Sequence, residues 1–208
     1  MNEDTPLDPA ESVALIAEQR SKVKAAIAVN ERLIFGVWGI AWLVGFGLLW
    51  AVSIDDPLLG WSEGVALSVF GALLVAAMVV TTVHTARRSS GVRGPSSTVG
   101  AMYGWSWFAA FAGVGALGYA LGILQVAPKV SGTVMTIVPA LVVGALYMAG
   151  GAVWQDRTQL SLGVVISVST VAAAVVPYSK LLLVVSLACA RGMLTVGSPP
   201  AVPRWPTP

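Results

Sequence analysis

The sequence predicts an all-α fold: a polytopic transmembrane bundle of six helices, preceded by a cytoplasmic or interfacial amphipathic helix. Three observations predict it. Of 208 residues, 56% are hydrophobic and only 11% are Asp, Glu, Lys or Arg, less than half the roughly 25% that an ordinary soluble chain carries. Mean hydropathy is +0.80. The few charges gather at the ends of apolar runs, most of them close to the ~20 residues that cross a bilayer.

The first element falls in residues 1–32. Asp8 suits a helix cap, Pro9 the first helical position, and Glu11 stands three residues beyond the cap as in a capping box. Val13, Ile16, Val23 and Ile27 share one side, with Glu18, Lys22 and Lys24 elsewhere. Such a helix either lies on the inner leaflet with its bases near anionic headgroups or extends the first span into water. This polar, acidic start is unlike a signal peptide, so the amino terminus is expected to be retained.

Six apolar segments follow, at 33–53, 61–83, 100–124, 130–154, 160–176 and 181–197. The last two are the shortest. Only Pro177, Tyr178, Ser179 and Lys180 separate them, which leaves a five-span alternative with a long bent final segment. Six is preferred because these residues make a turn.

Charge sets the orientation, since Lys and Arg concentrate in cytoplasmic loops. Six spans put Arg20, Lys22, Lys24, Arg32, Arg87, Arg88, Arg93, Arg157, Arg191 and Arg204 on one side, and Lys129 and Lys180 on the other. Both termini are therefore expected inside, in the plasma (inner) membrane. The first external loop carries Asp55, Asp56 and Glu63 and no base. Trp50, Trp61 and Tyr178 near the outer boundary, with Tyr103, Trp105 and Trp154 near the inner one, read as aromatic belts.

Two segments are expected to lie in water. His84 to Val99 mixes Arg87, Arg88 and Arg93 with Ser, Gly and Pro and reads as a mobile inner loop, a topology anchor or a dock for an acidic partner. The tail, 198–208, holds Pro199, Pro200, Pro203, Pro206 and Pro208, so it is extended, a spacer or a ligand for a proline-reading partner.

Inside a membrane, helices associate through small residues that let backbones approach. Gly100, Gly104, Gly115, Gly118 and Gly122 of the third span lie within about 60° of one another at 100° per residue. The second span repeats the pattern with Gly60, Gly64, Ser68, Gly71 and Thr82; the fourth does so with Thr133, Thr136, Ala140, Gly144, Tyr147 and Gly151 around Pro139. Spans two, three and four are thus expected to pack closely. The first span instead carries an aromatic stripe, Phe35, Trp38, Trp42 and Phe46. It reads as a packing or lipid-facing stripe or as a stacking wall for a planar or cationic ligand.

Several chemistries lack carriers. One histidine, His84, and one cysteine, Cys189, cannot build a His/Cys zinc site or an internal disulfide. His84 is expected at the interface and Cys189 in the core. The net charge of +2 does not advertise nucleic-acid binding. Gly60-Trp61-Ser62-Glu63-Gly64 spells G-x-S-x-G, but His84 would stand about 33 Å away along the same helix. Gly113, Gly115 and Gly118 spell G-x-G-x-x-G without a preceding strand. No acid and base pair lies near a span centre, so neither proton relay nor enzyme chemistry is expected, and neither metal nor cofactor.

In size and span count the chain is similar to several small bacterial families, including substrate-capturing membrane subunits of vitamin uptake systems and small amino-acid exporters. That resemblance carries no motif and transfers no residue. The amphipathic helix leading into an aromatic-rich first span resembles uncharacterised small multi-pass bacterial integral membrane proteins, which implies no activity. Two functions remain. The preferred one is an accessory or scaffold membrane component, partnered by lipid and by a membrane protein or a second copy through its glycine-rich faces. The other is a small-solute transporter or substrate-binding subunit for a neutral, aromatic or cationic ligand, with Trp38, Trp42, Thr133, Thr136 and Tyr147 lining the site. Three spans per half would permit an inverted repeat, although the halves show no sequence self-similarity.

Overall fold

A computed structural model describes residues 8–27, 30–89 and 95–196. Every regular element among them is helical: α1 (Pro9–Ile27), α2 (Glu31–Ser53), α3 (Glu63–Ser89), α4 (Pro95–Ile123), α5 (Pro128–Trp154), α6 (Arg157–Ala173), α7 (Tyr178–Val184) and α8 (Ala190–Val196). A wide π turn, Val185–Cys189, joins α7 to α8 in one continuous rod. Five helices are long and apolar enough to cross a membrane: those at Glu31–Ser53, Glu63–Arg88, Ser97–Ile123, Pro128–Trp154 and Tyr178–Thr195. At 17 residues, α6 is the shortest of the rods after α1.

Caps and turns explain where the helices begin and end. Asp8 accepts the Ala10 N–H at 3.3 Å and Pro9 opens α1. At the start of α2 the Asn30 side chain accepts the Leu33 N–H at 3.2 Å, while the Asn30 N–H itself donates to His84 Nε2 of α3 at 3.0 Å. Between α5 and α6, Gln155 takes a left-handed conformation (φ 53°) and Asp156 accepts the N–H groups of Thr158 and Gln159. This tight hairpin sets the closest helix pair in the molecule.

The stretch from His84 to Val99, expected as a loop, is largely helical. His84 to Ser89 continue α3 and Pro95 to Val99 begin α4. Helical hydrogen bonding outlasts the apolar run because Arg87 and Arg88 suit a helix C-terminus and proline suits a first turn. Arg93 and the tail at 198–208 lie outside the described residues, as do the side chains of Arg20, Val23, Lys24 and Ile27.

In α1 the side chains of Val13 and Ile16 are exposed, and Lys22 pairs with Glu18 at 2.7 Å. Among the described residues the helix touches only α3. The remaining helices form a chain of neighbours: α3 on α2, α2 on the α7–α8 rod, that rod on α6, α6 on α5, and α5 on α4. The core follows this chain, with Leu162, Ile166, Leu181, Leu182, Val185, Cys189 and Met193 essentially inaccessible.

The expected close packing of spans two, three and four occurs in part: α4 packs on α5, where a Cβ at Gly118 would lie 3.1 Å from Met135 Cε, but α3 stands apart from both. Among the described residues α3 makes no helix contact with α4 or α5, and a Cβ added at Gly60, Gly71, Gly100, Gly104, Gly115 or Gly122 would meet open space. The glycines that do bring backbones together are on α5 and α6. A Cβ at Gly163 would fall 2.6 Å from the Gly144 carbonyl oxygen and 2.7 Å from the Met148 nitrogen, and one at Gly151 would fall 2.6 Å from the Leu160 nitrogen. The expectation for α5 holds at Thr136, Ala140, Gly144, Tyr147 and Gly151, all buried.

Candidate functional site

The five residues expected to line a site occupy three separate settings. Trp38 donates its indole N–H to Thr81 Oγ1 at 3.0 Å, tying α2 to α3. Trp42 packs edge-on against Phe46, and Phe46 against Phe70 of α3. The Phe46–Phe70 contact belongs to the α2–α3 seam, and Trp42 packs on Phe46 within α2. Gly45 of α2 serves that seam too, since a Cβ there would collide with the Phe70 ring.

The two threonines turn to their own helix. Thr133 donates to the Lys129 carbonyl and Thr136 to the Gly132 carbonyl, each at 2.8 Å. Such back-bonding satisfies the hydroxyl inside an apolar medium and leaves it less available to a ligand.

Tyr147 lies in a different cluster, one that the sequence reading missed. Its ring meets Phe35 of α2 at 5.8 Å and Trp107 of α4 at 5.5 Å, both edge-on. Trp107 in turn meets Tyr103 and stacks on Phe111, and Tyr103 meets Trp154 at 4.7 Å. This aromatic seam is the main link between α4 and the rest of the molecule. Tyr103 also donates its hydroxyl to the Leu146 carbonyl at 2.6 Å and accepts from Gln159 Nε2 at 3.4 Å. The signal that pointed to it was present: Tyr103, Trp107 and Phe111 recur every four residues, the period of one helix face.

Polar groups deep in the bundle are few and satisfied. Ser186, in the π turn, donates to the Leu43 carbonyl of α2 at 3.0 Å, and Thr170 donates to the Ile166 carbonyl at 2.7 Å. Every buried side-chain nitrogen and oxygen among the described residues has a hydrogen-bond partner. Cys189 is fully buried. One open groove of about 380 Å³ lies between the end of α4 and the start of α5, lined by Gly118, Gly122, Gln125, Pro128, Ser131 and Met135. Its polar side chains are committed to backbone, Gln125 to Gly122 and Ser131 to Val126.

Comparison with known proteins adds no further constraint: no family model, curated protein or solved structure matches the chain.

Proposed function

We propose that the chain is a non-catalytic component of the plasma membrane, with six spans and both termini inside, acting as an accessory or scaffold subunit through a helix face of α4. In this reading α1 lies at the inner surface, and α6 completes the sixth span despite its length, its ends helped by Gln155, Asp156 and Arg157 at the inner headgroups. The arrangement of Lys and Arg supports the orientation.

The observation that carries the proposal is a set of unfilled glycines on α4. At 100° per residue they lie beside Trp107, which anchors α4, and extend away from it toward the exposed rings of Trp105 and Phe108. A Cβ added at Gly100, Gly104, Gly115 or Gly122 would meet nothing within 4 Å. Glycine within a helix costs about 1 kcal/mol relative to alanine, and in membranes it is repaid where another helix approaches closely. No helix among the described residues approaches these four. At the junction of α2, α4 and α5, meanwhile, the Phe35, Tyr147 and Trp107 rings meet one another.

Native mass spectrometry after mild-detergent extraction tests the proposal. The expected result is a species heavier than one chain, from a second copy or another membrane protein, which reverts to the single chain in the Gly104→Leu, Gly115→Leu double variant. A wild-type chain that stays alone and lipid-bound at all gentle conditions would count against it.

A further inference from the structure

The two halves of the bundle, α2–α3–α4 and α5–α6 with the α7–α8 rod, use their helices in the same way. In each half the first helix pairs with the second, α2 with α3 and α5 with α6, and each third helix crosses to pack on the first helix of the other half. Thus α4 lies on α5, and the α7–α8 rod lies on α2.

The crossing is built from the same parts at residue level. Ser186 donates its hydroxyl to the carbonyl of Leu43, and Tyr103 donates its hydroxyl to the carbonyl of Leu146. Four residues beyond each acceptor stands a glycine on the same helix face. A Cβ at Gly47 would lie 3.7 Å from the Ser186 oxygen, and one at Gly150 would lie 2.5 Å from the Tyr103 oxygen. Both donors stand eight residues into their rods, 95 to 103 and 178 to 186. A helical carbonyl has a second lone pair to offer, and glycine one turn on clears the approach. Two unrelated side chains, serine and tyrosine, thus make one contact in two places.

The halves differ in what else the third helix touches. The α7–α8 rod also packs on α6, where a Cβ at Gly192 would lie 3.2 Å from Leu162 Cδ1, and its start packs on α5, whereas among the described residues α4 makes no corresponding contact with α3 or α2.

We infer that the chain is an inverted repeat whose two crossing contacts, Ser186 on Leu43 and Tyr103 on Leu146, are pivots shared by two arrangements. In the arrangement described here the α7–α8 rod is closed on α6 and α4 stands away from α3. In the second, α4 closes on α3 and the rod leaves α6. On the six-span reading proposed above each half has three spans, an odd number, and the halves have opposite orientation in the bilayer, so the two arrangements open the bundle toward opposite sides of the membrane. The inference does not depend on a partner; a subunit seated on α4 would hold the first arrangement.

The test reads distances between spin labels in lipid nanodiscs by double electron–electron resonance, in a Cys189→Ala background. One pair, Leu67→Cys with Ile123→Cys, reports α3 against α4. The other, Ser161→Cys with Thr195→Cys, reports α6 against α8. All four positions are exposed. Gly192→Val crowds Leu162 and weakens the α6–α8 contact without touching α3 or α4. The expected result is that it raises the population of a shorter 67–123 distance at least about fivefold, the effect of a modest overpacking penalty, together with a longer 161–195 distance. A longer 161–195 distance with 67–123 unchanged, or no change in either pair, overturns the inference. Gly192→Ala serves as a milder second variant should the valine chain not fold, with the same outcomes deciding.

Discussion

Gly163 and Gly115 are the same residue type on membrane-length or near-length helices, yet they do opposite things. Gly163 lets α6 lie against the backbone of α5 at Gly144 and Met148, and Gly115 faces open space. The two nearest atoms facing Gly163 are backbone atoms that cannot turn aside, so Gly163→Ala is expected to destabilise the chain by about 1–3 kcal/mol, read as a lower unfolding midpoint in detergent. Gly115→Ala is expected to leave that midpoint unchanged or slightly raised, because it only improves helix propensity. Equal losses at both positions would show that α4 is packed in the isolated chain. Gln155 offers a complementary case: with φ at 53° it holds a conformation that glycine adopts without the Cβ penalty of about 1 kcal/mol. Gln155→Gly is expected to raise the midpoint, and a fall would mean that the Gln155 side chain contributes more than its backbone costs.

Among the elements, α2 shows how one sequence stripe is divided by its neighbours. Phe35, Trp38, Trp42 and Phe46 are close enough in angle to form one aromatic face, but Trp38 and Phe46 go to the α3 seam, Trp42 packs on Phe46, and Phe35 goes to Tyr147. The division arises because α2 packs on α3 along one seam while Phe35, near its start, reaches the Tyr147 ring of α5. For α4 the consequence is dependence on few contacts. Trp107→Ala removes edge-on contacts to Tyr103 and Tyr147, each worth about 0.5–1.5 kcal/mol, and is expected to lower the unfolding midpoint. Trp105→Ala, at a ring that is 68% exposed, is expected to leave it in place. A drop of similar size in both would place the anchoring of α4 elsewhere. The α3 end illustrates a different dependence, since His84 takes up the Asn30 N–H and so completes the start of α2 from a second helix; the G-x-S-x-G pattern at the far end of α3 has no histidine near it.

For the whole molecule, the orientation is open to direct measurement. In a Cys189→Ala background, Lys129→Cys and Lys180→Cys are expected to react with a membrane-impermeant thiol reagent from outside, and Arg157→Cys only after the inner face is exposed. The reverse pattern rejects the orientation, and an unreactive Lys180→Cys rejects the turn between the last two spans. The helical, membrane-compatible class of the fold was legible in composition and in the spacing of charges. These are one-dimensional properties: burying about twenty residues in lipid constrains each segment separately. The caps at Asp8 and Pro9 were equally local and equally legible, and so was the inward face of α5, whose small residues mark it from within. Which helices touch is another matter. A glycine stripe reads the same whether a neighbour fills it, as at Gly144 and Gly163, or nothing does, as at Gly104 and Gly115. An aromatic residue every four positions reads the same whether or not a carbonyl of another helix waits for the hydroxyl of its tyrosine. The sequence by itself therefore determined the helical class and its fitness for a bilayer, while α3 and α4 run past the ends of their apolar stretches. Only the tertiary structure decided the order of neighbours, the open face of α4 and the twin contacts of Ser186 and Tyr103, because each of these depends on atoms that are distant along the chain and near only once it has folded.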